Sequence, residues 1–171
     1  DWDAHFHTIF NRPSWPENPC YYLSRITATQ KDMAPKGKEN IFLLVPVAPG
    51  LIDTDEVREA YFDSVIAHVR GTTGVDLTKG MEVKRIFSHR DFTGDYNAMQ
   101  GTALSLSHTL FQTAVFRPGR RSRRLSNLYH SGQYTHPGVG VPMVVIAAEL
   151  AAKAIQADWS GHHHETAPEV T

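Results

Sequence analysis

The stretch NLYHSGQYTHPGVGVPMVVIAAELAA, from Asn127 to Ala152, decides the fold around it. It predicts a strand over Leu125–Ser131, then a turn rich in glycine and proline, and then a helix. The apolar spacing within the helix predicts one buried face, made of Val144, Val145, Ala148 and Ala152.

The turn carries little side-chain bulk near its backbone, because it holds Pro137, Gly138, Gly140 and Pro142. A flat ligand can therefore lie against its main-chain N–H groups. The helix N-terminus that follows has unpaired donors and partial positive charge, which suit a phosphate or an electron-rich carbonyl edge. The alternative is a plain strand-to-helix connection, although a simple reversal needs fewer glycines and prolines.

The turn and the start of the helix form one motif, with the members Gly132, Thr135, His136, Pro137, Gly138, Gly140 and Val141. Two segments precede it: MAPKGKENIFLLVPVAPGL at Met33–Leu51 and DFTGDYNAMQGTALSLSHTLFQTAVFRPGRRS at Asp91–Ser122. In this order, the three resemble the bacterial-type, FAD-dependent phytoene (carotenoid) desaturases. The resemblance covers nearly the whole chain, from Trp2 to Ile155.

The resemblance implies an FAD-dependent oxidoreductase of carotenoid biosynthesis, which introduces conjugated double bonds into a long, apolar C40 polyene. It also implies that the motif, together with Pro142, contacts the flavin. It assigns no catalytic residue in this chain. Two other functions stay open: an amine-oxidase-like FAD oxidoreductase acting on another apolar substrate, and a flavin-free subunit that binds or assembles polyprenoids.

The expected fold class is α/β (α+β), as the C-terminal part of a two-domain FAD-dependent oxidoreductase. Residues 1–120 are predicted to belong to a substrate-binding domain with an antiparallel or mixed sheet and helices. Residues 121–159 are predicted to form a strand, turn and helix of the FAD-binding domain. Residues 160–171 are predicted to be a disordered tail.

No G-x-G-x-x-G fingerprint follows a predicted strand, since Gly71, Gly74 and Gly80 are too scattered. Members of the family carry this phosphate-binding fingerprint in their N-terminal third. We therefore expect a missing N-terminal FAD-domain segment or a partner chain to complete the cofactor site, and the isolated chain to be incomplete.

Composition excludes some classes of function. The chain has 17 basic and 18 acidic residues, so its net charge favours no nucleic-acid partner. A single cysteine, Cys20, cannot form an internal disulfide. No run approaches the about 20 apolar residues of a spanning helix. We expect a cytoplasmic protein that is soluble or bound peripherally to a membrane.

Local patterns predict the remaining elements. A short amphipathic helix should begin at Trp2, and a longer one at Asp53, with Asp53 and Glu56 as a capping box and Gly71 and Gly74 at its end. A third helical segment is predicted over Leu104–Phe116. The predicted strands are Cys20–Thr27, Ile41–Val47 as a central buried strand, and Met81–Phe87.

A second candidate site lies at Asp95, Tyr96, Asn97, Gln100 and Gly101, where Tyr96 and Asn97 are the predicted substrate-binding residues. Polar side chains and a glycine at this point can line the flavin ring or a polyene channel. Helix capping, with core packing by Tyr96, is the alternative interpretation.

The segment FRPGRRSRR is a basic loop that either is solvated or contacts anionic lipid heads at a membrane surface. Its cations are Arg117, Arg120, Arg121, Arg123 and Arg124. His136 can act in proton transfer or simply hold its position. We predict no metal site, because His162, His163 and His164 are consecutive in the tail and point in different directions.

Overall fold

The computed structural model describes residues 1–107, 109–113 and 116–160. Within them, the regular elements are α1 (Trp2–Phe10), β1 (Tyr22–Arg25), β2 (Ile41–Leu44), α2 (Asp55–Thr73), α3 (His89–Tyr96) and α4 (Val141–Trp159). The chain divides into two compact units, Asp1–Thr102 and Ala103–Thr171. Helices with a small antiparallel sheet are consistent with the expected α/β (α+β) class. The assignment of segments to a substrate domain and an FAD domain stays a prediction.

Helix α1 forms as predicted, and its N-terminus is capped by Asp1, whose Oδ1 accepts from Asp3 N at 3.0 Å. Its aromatic side chains are not its buried face, since Trp2 is 66% exposed and stacks on Phe6. The buried residue is His5. Its Nε2 lies 2.7 Å from Pro46 O, while its Nδ1 accepts from Cys20 N at 2.7 Å. A histidine therefore joins α1 to two loops.

The sheet consists of β1 and β2 paired antiparallel, with Tyr22 opposite Leu44. The predicted central, buried strand over Ile41–Val47 is wrong, because β2 belongs to a two-stranded sheet and has no second neighbour among the residues that the structure describes. Phe42 is accordingly 47% exposed. Strand Cys20–Thr27 is shorter than predicted, and Met81–Phe87 forms no strand at all. An apolar run does not reveal whether partner strands exist on both sides.

Helix α2 has its N-cap one residue later than predicted. Its N-cap is Thr54, whose Oγ1 accepts from Val57 N at 3.3 Å, so the predicted Asp53 cap is wrong. The helix continues through Gly71 and ends at Gly74, which has a left-handed φ of 74°. Its apolar face contributes Val65, Ile66 and Val69 to the core of the first unit.

Between α2 and α4 the chain is mostly irregular. Helix α3 has Asp91 in its first turn, and this carboxylate accepts from Ser88 N at 2.9 Å. Helix α3 runs through Gly94 without interruption. Among the described residues of Leu104–Phe116, the predicted helix is replaced by turns, with one 3-10 turn at Leu110–Gln112.

The predicted strand Leu125–Ser131 is also wrong: it makes a single bridge, between Tyr129 and Arg121. Helix α4 forms as predicted but buries the face made of Ala147, Ala151 and Ala154. The predicted face is largely exposed, with Val145 at 62%. The predicted disorder of 160–171 concerns residues almost entirely outside the described part.

Among the residues that the structure describes, no helix combines the length and apolar character needed to traverse a bilayer.

Candidate functional site

The segment Gly132–Gly140, here called the corner, leads directly into α4. Its last residue, Gly140, is the N-cap of α4 with φ 120° and ψ 147°, a conformation that is essentially restricted to glycine. Gly138 also has a positive φ, and the His136–Pro137 peptide is cis. The sequence needs its glycines here for backbone conformation, which is consistent with a surface that brings main chain close to a ligand.

The N-terminus of α4 is open. No described side chain caps it, and Pro142 occupies its first turn, where a missing N–H is tolerated. Val144 N donates to Gly140 O at 2.9 Å, and Val141 is 80% exposed. First-turn N–H groups here can donate to a ligand, and the helix dipole favours an electron-rich acceptor.

The corner is held from within by Thr135, which is 4% exposed. Its Oγ1 and its N–H both donate hydrogen bonds to Gly132 O, at 2.9 and 3.1 Å. His136 N donates to Pro118 O at 3.1 Å, while the His136 side chain is exposed. Thr135 therefore fixes the turn, and His136 enters this network through its backbone.

Arg117 lies buried against the corner, with 4% of its surface exposed. Its guanidinium donates to Gln133 O at 2.8 Å and to Ser105 Oγ at 2.9 Å. It also reaches Gln112 O at 3.1 Å and Leu106 O at 3.3 Å. The prediction that Arg117 faces lipid is wrong, because burial removes this cation from the surface.

Arg121 is also engaged, through a forked contact to Asp158 with Nε and a terminal nitrogen at 2.7 and 2.9 Å. Tyr129 OH donates to the same carboxylate at 2.8 Å, and Trp159 Nε1 donates to Tyr129 OH at 3.2 Å. The hydrogen bonds from Arg121 and then Tyr129 lower the pKa of Asp158 to about 2. The C-terminal end of α4 is thereby tied to the loop before the corner.

Sequence reasoning missed Asp158, although one signal marks it. A carboxylate in the last turn of a helix opposes the helix dipole, so its presence suggests a cationic partner elsewhere. Of the five loop arginines, Arg123 and Arg124 are exposed and Arg120 is half-buried.

Known proteins align with most of the chain. The carotenoid 3,4-desaturase of Haloarcula japonica is 48% identical over 158 residues, which are 92% of this chain and 32% of that protein. The phytoene desaturase (lycopene-forming) of a Paracoccus species is 35% identical over 88% of this chain. The phytoene desaturase of Fusarium fujikuroi is 30% identical over 98% of it. The chain matches no family model.

The chain is similar over most of its own length to carotenoid and phytoene desaturases. It corresponds to a portion of these proteins and spans about a third of the length of the curated relatives it matches. The family resemblance carried by the three sequence segments is thus confirmed. The roles of individual residues at the corner stay predictions.

The corner has a donor set that fits a flavin edge. Its main-chain N–H groups and the uncapped α4 N-terminus are donors, and the segment Gly132–Pro142 contains no Asp or Glu that would repel an electron-rich carbonyl edge. Buried Arg117 adds positive charge beside it. These residues suit one wall of an FAD site.

The second predicted site, Tyr96 and Asn97, lies in the first unit. Asn97 is the C-cap of α3, with a left-handed φ of 51° and its N–H bonded to Phe92 O. Tyr96 is 69% exposed and contacts the rings of Phe87 and Phe92, with centroids 6.3 and 6.2 Å away. Capping and ring packing account for both residues here, and a substrate role stays a prediction.

The neighbouring candidates Gln100 and Gly101 also have structural roles. Gln100 O accepts from Gly50 N at 2.9 Å. A Cβ at Gly101 would lie 2.5 Å from His89 Cα, so only glycine fits there. His89 is buried, with Nε2 2.7 Å from Ala48 O. Asp95 is exposed.

Sequence reasoning also missed an ionic cluster in the first unit. Arg58 bridges two carboxylates, with Nε 2.6 Å from Asp53 Oδ1 and a terminal nitrogen 2.8 Å from Asp91 Oδ2. Asp53 also accepts from Arg90 N at 2.6 Å. Desolvation raises the pKa of Asp53, but hydrogen bonds from Arg58 and Arg90 and the charge of Arg58 outweigh it and hold the pKa below 3.8.

Asp91 has the same balance. Desolvation raises its pKa, while hydrogen bonds from Ser88 N and Arg58 bring it below 3.8. The hydrogen bond to Asp53 in turn raises the pKa of Arg58. The cluster joins the start of α2 to the start of α3, so its role is structural. Within the described residues, no three His, Cys, Asp or Glu side chains group as a metal site. His162, His163 and His164 lie outside them.

Proposed function

We propose that this chain is part of an FAD-dependent carotenoid desaturase, an oxidoreductase that introduces conjugated double bonds into a long C40 polyene. The observation that supports this most is the 48% identity to a carotenoid 3,4-desaturase over 92% of the chain. The open, glycine-rich corner at the start of α4 supports it independently, since its donors suit a flavin.

In this proposal, the corner residues Gly132, Thr135, His136, Pro137, Gly138, Gly140, Val141 and Pro142 form one wall of the flavin site. Bound FAD would supply the acceptor for the electrons removed from the polyene. The chain's own contribution is to place main-chain donors against the flavin edge and to favour electron-rich groups there. The remaining walls belong to an N-terminal FAD-domain segment or a partner chain.

A chimera tests the proposal. In the Haloarcula japonica carotenoid 3,4-desaturase, the matched segment is replaced by this chain, and the purified protein is examined for FAD absorbance and for products of longer conjugation from a carotenoid substrate. We expect FAD to be retained and the product spectrum to shift to longer wavelength, because each new conjugated double bond extends the polyene.

The matched control is the same chimera with Gly140→Val. Valine cannot adopt φ 120° without a cost of about 1–3 kcal/mol, so the start of α4 should move and FAD occupancy should fall. A folded chimera that binds no FAD would contradict the proposed cofactor. A chimera that binds FAD but leaves every carotenoid unchanged would contradict the proposed reaction.

We also propose that peripheral contact with an anionic membrane involves Arg120, Arg123 and Arg124, since Arg117 is buried and Arg121 is paired with Asp158. Sedimentation of the chain with vesicles containing anionic lipid should fall on Arg123→Gln/Arg124→Gln. Unchanged sedimentation would contradict the proposed contact.

A further inference from the structure

We propose that Arg117 is the positioning residue of the corner: its buried guanidinium sets the backbone that presents main-chain donors to the ligand. The ligand's identity rests on the proposed function above, whereas the positioning itself is a property of the chain alone.

Arg117 differs from an ordinary buried arginine because no described carboxylate forms an ion pair with it. A buried charge is costly unless hydrogen bonds compensate it. Here the compensation comes from three main-chain carbonyls and one hydroxyl. Main-chain carbonyls thus stabilise the buried cation, and the same hydrogen bonds fix the position of the backbone that carries them.

Gln133 is the corner residue that Arg117 fixes most directly. Its carbonyl accepts from Arg117 at 2.8 Å and from Ser105 Oγ at 2.9 Å. Two donors occupy both acceptor positions of one carbonyl oxygen. Ser105 is itself held by Arg117 at 2.9 Å and has a left-handed φ of 63°. The three groups form a closed triangle around Gln133 O.

The chain next to Arg117 makes a second contact with the corner. Pro118 O accepts from His136 N at 3.1 Å, so the corner is fixed at Gln133 by the arginine side chain and at His136 by the following residue's carbonyl. Thr135, between them, is buried. Loss of the guanidinium should therefore make the backbone of residues 133–136 more mobile, while α4 keeps its own hydrogen bonds.

One nitrogen of Arg117, Nε, is buried without a partner among the described residues. Lysine would keep the charge and lose the fork that spans Gln133, Ser105 and Gln112. An exchange of arginine for lysine therefore separates charge from geometry.

The test is amide hydrogen exchange in the isolated chain, followed by two-dimensional NMR, for Arg117→Lys and Arg117→Ala. The reporters are the amides of Thr135 and His136, with Ala151 and Ala154 in α4 as internal references. We expect the corner amides to exchange on the order of tenfold faster in both variants, while the references change by less than about twofold. Arg124→Ala, at an exposed position, is the matched control and should change neither set.

Rescue identifies the guanidinium as the cause. Added guanidinium ion at millimolar concentration should slow corner exchange in Arg117→Ala and leave Arg117→Lys unchanged, because only the alanine variant leaves space for it. If Arg117→Ala unfolds so that the references also lose protection, Arg117→Lys decides. Corner exchange equal to that of the native chain in a folded Arg117→Lys would overturn the proposal, and so would equal acceleration of corner and reference amides there.

The chimera then distinguishes failure of this inference from failure of the proposed function. With FAD bound, Arg117→Lys should shift the flavin absorption spectrum and weaken FAD binding, since the donors that face the ring move. If the corner amides of the Arg117 variants exchange faster in the isolated chain while the chimera binds no FAD, the result would support the positioning role of Arg117 and contradict the proposal that the corner binds FAD.

Discussion

The two units of the chain each bury an arginine, and they compensate its charge in opposite ways. The Arg58 side chain is 9% exposed and bridges the carboxylates of Asp53 and Asp91. Arg117 is 4% exposed and donates to carbonyls and a hydroxyl. Carboxylates titrate and carbonyls do not, so the first arrangement ties stability to pH and the second ties it to backbone geometry.

The largest expected effect comes from breaking the ionic arrangement. Arg58→Met should lower the free energy of unfolding by about 3–5 kcal/mol, because it leaves two largely buried carboxylates without their cation. Urea titration followed by circular dichroism measures this. Arg90→Met is the matched control: its side-chain pair with Asp55 is exposed, so we expect a loss below about 1 kcal/mol. Similar losses of unfolding free energy in the two variants would mean that burial of an ion pair does not determine how much its removal destabilises the chain.

The ionic cluster also shows where sequence reasoning stops. The pattern located α1, α2 and α4 within a few residues, because apolar periodicity and a terminal Gly74 are local signals. It took Asp53 for a helix cap, whereas this carboxylate pairs with Arg58 and accepts from Arg90 N. Nothing in the local sequence separates these roles, since Thr54 next to it is also a favourable cap.

The sheet and the corner show the same limit. Ile41–Val47 has the apolar run of a buried strand, but burial depends on neighbouring strands that the segment itself does not encode. The corner can be predicted from the sequence because glycine and proline are concentrated there, and the structure adds that Gly140 has a backbone conformation essentially restricted to glycine. Arg117 was placed in a solvated or lipid-facing loop, since a basic run gives no sign that one member folds inward against Gln133.

Acid sharpens the contrast between the two arginines. The folded-state pKa values of Asp53 and Asp91 lie below the ordinary 3.8, so their contribution to stability is complete above pH 3.8 and is lost as pH falls through the lowered values. The difference in unfolding free energy between the native chain and Arg58→Met should therefore shrink as pH falls below 3.8. The difference in unfolding free energy between the native chain and Arg117→Met should stay constant over the same range, because the carbonyls and the hydroxyl that accept from Arg117 do not titrate.

Urea titrations of the three proteins at pH 5, 4 and 3 measure this divergence. A difference for Arg117→Met that shrinks in parallel with that for Arg58→Met would show that carboxylates also compensate Arg117. If the difference in unfolding free energy for Arg58→Met stays constant with pH, Asp53 and Asp91 do not stabilise the chain through their charges.

The smallest change in stability is expected from breaking the ion pair of Arg121, whose partner Asp158 lies at the surface. Arg121 and Asp158 are 48% and 35% exposed, so water screens their attraction even though the pKa of Asp158 falls to about 2. Asp158→Asn keeps an acceptor for Tyr129 and removes the charge. We expect the urea midpoint to stay within experimental error, while the amide of Ser160, bonded to Gln156 O, exchanges faster as the end of α4 frays. A midpoint shift as large as that of Arg58→Met would show that the forked geometry at Arg121, and not burial, determines what an ion pair contributes in this chain.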